Sequence, residues 1–249
     1  MNDTSLTQAS EGYLRTLQEL LDQAVRANAE AVQKAGALLA ERFSSDGLTY
    51  VFGSGHSHIF AEETFYRAGG AVRMCPVLKP PYMLHEGARR STTLERRQGE
   101  AATVLDGYAL DGSRDAMIVV SNSGANALPV EVAKAAKDAG LPVIAITSRA
   151  YATVHTAPGP RLHEVADIVL DNLCPPGDAL VSLREDLPRV GPGSSVIGLT
   201  LLNAVVVEAL ATQVAHGEDP DVYLSSGMPG APEHNDAVSA TFAERIPHI

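Results

Sequence analysis

Two short stretches rich in glycine and serine each lie between an apolar, strand-like run and a helix-like run. The first follows residues 48–52 and the second follows residues 116–120. Glycine lets the backbone turn tightly, and serine hydroxyls and free N–H groups at a helix start donate hydrogen bonds to anions. Because both stretches follow strands of one predicted sheet, we expect them to meet and bind a phosphate or a similar oxyanion. The predicted binding residues are Gly53, Ser54, Gly55, His56 and Ser57 in the first stretch and Ser121, Asn122, Ser123, Gly124 and Asn126 in the second.

Competing motifs do not fit these stretches. The sequence has no GxxxxGK[ST] loop, and residues 53–58 lack the third glycine of a dinucleotide fingerprint. No GxSxG pentapeptide of a serine hydrolase follows a strand. His56 and His58, with two glutamates nearby, are weak evidence for a metal site. We therefore predict neither a cofactor nor a metal.

Proton transfer on a ligand at this site needs a carboxylate or a histidine close by. Two adjacent glutamates lie in the helix predicted over 57–68, where neighbours point about 100° apart, so at most one faces the ligand. A His-Glu pair lies in a long irregular loop predicted over 79–97, and a further histidine lies in the C-terminal tail. For each of them the alternative is a solvated surface position. The candidate catalytic residues are Glu86, His85, Glu63, Glu62 and His234.

Apolar spacing predicts the elements that position these residues. Strands alternating with helices indicate right-handed βαβ units, and unbroken apolar runs favour strands covered on both faces. The sequence therefore predicts an α/β fold, a three-layer αβα sandwich of about five parallel strands. The predicted strands are 48–52, 71–78, 116–120, 142–147 and 168–170, and the predicted helices are 12–43 (one or two helices), 57–68, 128–139 and 194–214.

The chain divides into three predicted segments. Residues 1–47 form an N-terminal helical extension and residues 48–216 form the α/β domain. Residues 217–249 form a tail that packs on the domain or on a neighbouring subunit, with too much glycine and proline for a regular element before Pro232. The helix predicted over 194–214 is apolar on most sides, which indicates both a core position and a subunit interface.

Composition limits the class of partner. The formal net charge of −11 argues against a nucleic acid, which needs clustered lysine and arginine, but not against a small phosphorylated ligand. Cys75 and Cys174 match no redox or metal spacing and are predicted to be reduced, buried thiols. The polar start of the chain and the expected lack of an apolar run near 20 residues predict a cytoplasmic protein with no membrane partner.

The two stretches resemble the motifs of the SIS (sugar isomerase) domain family. Residues 52–57 resemble the first motif, and residues 121–124 with the following helix and residues 142–148 resemble the second. The likeness covers roughly residues 14–213. Residues 61–70, 84–87 and 233–235 resemble a little-characterised bacterial branch of phosphosugar isomerases.

The resemblance implies a flavodoxin-like sheet, a homodimer or homotetramer, and binding of a sugar 6-phosphate. It implies phosphate-binding roles for Ser54, Ser57, Ser121 and Ser123, while Asn126 stands where many members have threonine. It also implies a glutamate in the loop after the second strand and a late histidine that reaches a neighbouring subunit's site. The sequence departs from several catalytic members about three turns into the first helix, where Tyr66, Arg67 and Gly69 replace the usual glutamate.

Several functions stay open at this point. The leading hypothesis is an enzyme that interconverts aldose and ketose forms of a sugar 6-phosphate, for which an aminosugar or a heptose is a candidate. The displaced glutamate favours a second hypothesis, a non-catalytic SIS protein that senses a phosphosugar and acts through a protein partner. Aminosugar-phosphate deamination, and isomerisation of a sugar with another anionic group, are further alternatives.

Overall fold

The computed structural model describes residues 7–249, and its N-terminal part is a pair of helices. These are α1 (Gln8–Ala27), which Thr7 caps by accepting the Ser10 N–H group, and α2 (Ala29–Ser44). Asn28 separates the two helices. Its buried side chain forms hydrogen bonds with both the C=O and the N–H group of Asp171. The helical extension is therefore tied to the edge of the central sheet.

Five short strands form one parallel sheet in the order β2-β1-β3-β4-β5. They are β1 (Thr49–Gly53), β2 (Met74–Pro76), β3 (Ala116–Val120), β4 (Val143–Thr147) and β5 (Ile168–Asp171). The chain leaves β1 toward β2 on one side and returns as β3 on the other, so the β1–β3 boundary is the point where such sheets bind ligands. The predicted fold class is confirmed.

Helices cover both faces of the sheet. The remaining helices are α3 (Ile59–Thr64), α4 (Ala88–Leu94), α5 (Ala101–Leu105), α6 (Ala127–Asp138), α7 (Arg149–Val154), α8 (Leu162–Val165), α9 (Ser194–Ala215) and α10 (Ala231–Ala240). One core cluster lies between the sheet and α1, α2, α3 and α9. The other lies between the sheet and α5, α6, α8 and the C-terminal segment. Every strand is thus enclosed by apolar side chains.

Several elements differ from the sequence-based expectation. The helix predicted over 57–68 is a 3-10 turn (His56–His58) followed by α3, which ends because Phe65 is extended and Tyr66 has a positive φ of 45°. The long loop predicted over 79–97 contains two 3-10 turns (Pro80–Tyr82 and Leu84–Glu86) and α4. A small antiparallel hairpin was not predicted; its strands are β6 (Ala179–Val181) and β7 (Val190–Pro192).

Helix α9 is the most apolar element. It is long and apolar enough to cross a membrane by length and composition, so the expectation that no run reaches that length is wrong for this helix. Its inner face contributes Ile197, Leu201 and Val205 to the core cluster beside the sheet. A buried core helix passes the same test, and one such helix is weak evidence for a membrane.

Candidate functional site

The two predicted stretches meet at the carboxyl ends of β1 and β3. Gly53 at the end of β1 is paired with Val120 at the end of β3, so the loops that follow lie side by side. Between them is an open polar cleft of about 340 Å³, which we call the polar cleft. Its lining residues are Ser54, Gly55, His56, Ser57, Leu84, Thr92, Glu95, Arg96, Ser121, Asn122, Ser123, Asn126, Tyr151 and His155. The structure thus brings eight of the ten predicted binding residues together, while Gly53 and Gly124 shape the two loops.

The first loop turns too sharply for a side chain at Gly53. A β-carbon there would lie 2.2 Å from the Ser57 carbonyl oxygen. Gly55 has a positive φ of 57°, and its N–H group donates to the Tyr82 carbonyl oxygen at 3.0 Å. The loop is therefore closed tightly on itself and fastened to the segment after β2.

The second loop leaves many donors free. Gly124 has a positive φ of 57°, and its N–H group donates to the carbonyl and hydroxyl oxygens of Ser121. Within residues 7–249, the N–H groups of Asn122, Ser123, Ala125 and Asn126 make no hydrogen bond. The same holds for the hydroxyl groups of Ser57 and Ser123, one on each side of the polar cleft. Clustered free donors of this kind bind oxyanions.

A carboxylate that the sequence analysis did not single out bridges the two loops. Glu95 follows α4; its Oε2 accepts a hydrogen bond from Ser54 Oγ (3.2 Å) and its Oε1 accepts one from Asn126 Nδ2 (3.0 Å). Burial raises the pKa of Glu95 above its usual value, although the Ser54 hydrogen bond and Arg96 act in the opposite direction. A half-buried carboxyl group that retains its proton more readily than usual is suited to proton transfer.

The start of α6 explains why Asn126 reaches Glu95. Asn126 is the N-cap of α6, but its side chain caps no N–H group. The Leu128 N–H group is already bonded to the Glu95 carbonyl oxygen (3.0 Å), and the next residue, Pro129, has no N–H group to cap. The Asn126 amide is therefore free to hold the carboxylate. Of these two features, Pro129 is the one that is visible in the sequence.

Basic and aromatic side chains complete the polar cleft. Arg96 lies 3.6 Å from Glu95 and is largely exposed. Tyr151 and His155, from α7 and the residue after it, line the side next to β4. His155 Nδ1 accepts the Ala157 N–H group at 3.1 Å, so the neutral ring carries its proton on Nε2. Tyr151 and His155 were not predicted from the sequence.

The two glutamates on α3 are engaged elsewhere. Glu62 Oε1 lies 3.6 Å from Nε2 of the buried His58. Glu63 forms an ion pair with Arg67 and accepts a hydrogen bond from Asn203 Nδ2 at 3.2 Å. Neither glutamate lines the polar cleft.

The other three candidate catalytic residues also lie outside the lining. His85 and Glu86 belong to an exposed turn beside Leu84, and Glu86 lies 3.5 Å from Arg90. His234 lies on α10, where its Nε2 is 2.8 Å from the Val222 carbonyl oxygen. The structure therefore places His85 and Glu86 at the rim of the polar cleft and His234 on the C-terminal segment.

A second, more enclosed cavity of about 270 Å³ adjoins the polar cleft, and we call it the inner chamber. The two share His56, Ser57 and Asn122. The lining of the inner chamber is completed by Phe60, Val120, Ile146, Asn172, Asp178, Pro192, Ser194 and Ser195. Both cavities thus lie at the carboxyl ends of the sheet strands, on either side of the three residues that they share.

Side chains that ligate metals are dispersed in the part of the chain that the structure describes. No group of three or more histidine, cysteine or acidic side chains is placed to hold a metal ion within residues 7–249. Cys75 and Cys174 are buried free thiols, and burial raises the pKa of each to about 12.

Comparison with known proteins gives consistent results at the levels of sequence and fold. The sequence model of the SIS domain family matches residues 12–148. UPF0309 proteins of Brucella canis and Brucella anthropi are each 41% identical to this chain over 89% of its length and 90% of theirs. The phosphoheptose isomerase of Neisseria gonorrhoeae has a similar fold, with a TM-score of 0.54 and 16% identity, over 84% of this chain and 100% of that one. The phosphoheptose isomerase of Francisella tularensis matches with a TM-score of 0.53 and 14% identity, over 82% of this chain and 98% of that one.

Proposed function

Because the chain belongs to the SIS domain family, we propose that it binds a phosphorylated sugar with the phosphate group in the polar cleft. The observation that carries this proposal is the cluster of free N–H and hydroxyl donors at the ends of β1 and β3. These donors stabilise an oxyanion by hydrogen bonds without many cationic side chains, which suits a chain of net charge −11. The ten predicted loop residues form the proposed anion site.

We further propose that the protein isomerises this sugar phosphate between its aldose and ketose forms. This reaction moves a proton from the carbon beside the carbonyl group to the carbonyl carbon, and it moves the hydroxyl proton of that adjacent carbon to the former carbonyl oxygen. Glu95 is the proposed base, because it is the carboxylate that lines the polar cleft, and burial raises its pKa. His155, with a proton on Nε2, is the proposed donor to the sugar oxygen.

The experiment is incubation of the purified protein in D₂O with hexose, heptose and aminosugar phosphates. Isomerisation through a base gives a new sugar, and NMR detects both the product and deuterium at the exchanged carbon. Glu95→Gln is expected to lower kcat by at least about 100-fold, since general base catalysis contributes that much or more.

Two further variants sharpen this test. Glu19→Gln removes an exposed carboxylate on α1 and is expected to leave turnover unchanged. Glu86→Gln at the rim tests the alternative base. Loss of turnover in Glu86→Gln, with Glu95→Gln active, contradicts the role proposed for Glu95.

A second candidate function is phosphosugar sensing without catalysis. The observation that favours it is the position of Glu62, Glu63, His85, Glu86 and His234, none of which lines the polar cleft. Saturable binding of a sugar phosphate, with neither product nor deuterium exchange for any sugar, supports sensing over isomerisation. Absence of binding for every sugar phosphate contradicts both functions.

The oligomeric state and cellular location belong to the same proposal. We propose a cytoplasmic homodimer or homotetramer that uses no nucleic-acid or membrane partner. The outer face of α9, where Val207 is 65% exposed, supports association between subunits. The acidic net charge supports the absence of a nucleic-acid partner.

A further inference from the structure

The inner chamber differs in chemistry from the polar cleft. Its floor is formed by the apolar side chains of Phe60, Val120 and Ile146, each at most 4% exposed. Its polar groups lie at the mouth and around the start of α9. An apolar floor behind a polar mouth does not suit a group that carries only hydroxyls, because each buried hydroxyl needs a hydrogen-bond partner.

The mouth of the inner chamber has an amide donor of fixed orientation. The Cys174 N–H group donates to Asn172 Oδ1, so Asn172 Nδ2 must face the other way, where it donates to Asn122 Oδ1 at 2.9 Å. Asn122 Nδ2 then faces away from Asn172 and makes no hydrogen bond within residues 7–249. A backbone N–H group therefore fixes Asn122 as a donor at the junction of the two cavities.

The one carboxylate of the inner chamber is already satisfied. Asp178 Oδ1 accepts the N–H groups of Gly193 (3.1 Å) and Ser194 (2.8 Å), and Oδ2 accepts the Ser194 hydroxyl at 2.5 Å. These contacts place its charge at the N-terminus of the 22-residue helix α9, where the helix dipole stabilises it. Asp178 is thus poorly placed to select an ammonium group on a ligand.

We propose that the inner chamber binds an acylamino substituent of the sugar, so that the preferred ligand is an N-acetylated aminosugar phosphate. The acyl carbonyl oxygen accepts a hydrogen bond from Asn122 Nδ2, and the methyl group lies on the floor of Phe60, Val120 and Ile146. An acylamino group at carbon 2 replaces the hydroxyl that would become a ketone, so the inference concerns binding of this ligand, which fits the sensing function, and not its aldose–ketose turnover.

The inference rests on the proposed phosphosugar function, and a matched ligand series tests it. The ligands are glucose 6-phosphate, glucosamine 6-phosphate and N-acetylglucosamine 6-phosphate, with inorganic phosphate as reference and calorimetry as readout. Burial of a methyl group and one added hydrogen bond are expected to make the N-acetylated ligand at least about tenfold tighter than the other sugars. Equal affinity for the three sugars, or tightest binding of glucosamine 6-phosphate, overturns the inference but leaves the proposed function intact.

A substitution at Ser195 tests whether the acylamino group binds in the inner chamber. Ser195 lines the inner chamber, and its hydroxyl makes no hydrogen bond within the described part of the chain. Ser195→Leu fills the space and is expected to abolish the tenfold preference, while inorganic phosphate still binds and so reports a folded protein. Ser195→Ala, which adds no bulk, is expected to keep the preference. A preference that survives in Ser195→Leu places the acyl group elsewhere and contradicts the proposal.

Discussion

At the scale of single residues, Glu95 accepts hydrogen bonds from Ser54 Oγ and Asn126 Nδ2. Both donors border the proposed oxyanion position. A bound dianion next to an ionised carboxylate is repelled, whereas one next to the protonated acid is not. The pKa of Glu95 is raised by burial in the free protein, and a bound anion raises it further. Anion binding is therefore expected to take up a proton, and turnover is expected only from complexes in which Glu95 is ionised and can act as the base.

This linkage gives a pH dependence of known sign. Sulfate is the suitable probe because its charge stays constant near neutral pH. Its affinity is expected to be flat below the pKa of free Glu95, to fall by up to about tenfold per pH unit above it, and to level off above the pKa of the complex. Calorimetric titrations from pH 4.5 to 8 measure it.

Other ionisable side chains line the polar cleft, so a variant is needed as reference. They are His56, Arg96, Tyr151 and His155. Glu95→Gln keeps those groups and removes the carboxylate. It is expected to bind sulfate more tightly above the pKa of free Glu95 and to lose the part of the slope due to Glu95. Parallel pH profiles for the two proteins contradict the linkage.

The anion site and Glu95 differ in how readily the sequence shows them. The glycines and serines of each loop are contiguous and follow a strand directly, so local pattern was sufficient to predict that they meet. Glu95 contacts residues 41 and 31 positions away, through a segment predicted as an irregular loop. Its role depends on α4 folding back over the loops, which no local pattern encodes.

At the scale of elements, the turn after β1 depends on the missing side chain at Gly53. A β-carbon there would lie 2.2 Å from Ser57 O and 2.4 Å from Ser57 C, both in the backbone, which cannot move without opening the loop. Gly53→Ala is expected to lower the free energy of unfolding by about 1–3 kcal/mol and to weaken phosphate binding. Urea unfolding and phosphate calorimetry measure the two effects.

Gly12→Ala is the matched control for this change. Gly12 lies inside α1 with no atom within 4 Å of the added β-carbon, so alanine is expected to stabilise the protein by about 0.5–1 kcal/mol. Similar effects of the two substitutions contradict a special role for the Gly53 turn.

The boundaries of α3 and α4 were not predicted from the sequence. Residues 57–68 contain good helix formers, but α3 ends at Thr64 and Tyr66 has a positive φ. The Tyr66 ring packs against the Tyr223 ring, with 4.8 Å between the ring centroids. Here a tertiary contact outweighs helix propensity. Four of the five sheet strands were predicted to within one residue at each end, because their apolar runs needed no such contact. The second strand was predicted over 71–78 but covers only Met74–Pro76.

At the scale of the whole molecule, the SIS resemblance seen in the two motifs is confirmed by the family match over residues 12–148 and by 41% identity to the UPF0309 proteins. The sequence also predicted the layers and the parallel sheet, because alternating apolar runs and helices specify them. Which surface of the outer helices would form a subunit interface is not specified in this way. Such a surface is buried only in an assembly, so the pattern of a single chain does not identify it.

The outer face of α9 is the surface where assembly can be tested. Val196, Thr200, Val207, Ala211 and Val214 recur every three to four or seven residues along one exposed face that carries no charge. Val207→Glu is expected to convert the oligomer to a monomer, since an unpaired charge in an apolar interface costs several kcal/mol. Light scattering after gel filtration measures the mass.

Val154→Glu on α7 is the control, because Val154 is 58% exposed and Val207 is 65% exposed. This control is expected to leave the mass unchanged. A wild-type protein that is monomeric at micromolar concentration contradicts the oligomer, and a Val207→Glu protein that keeps its wild-type mass moves the interface away from α9.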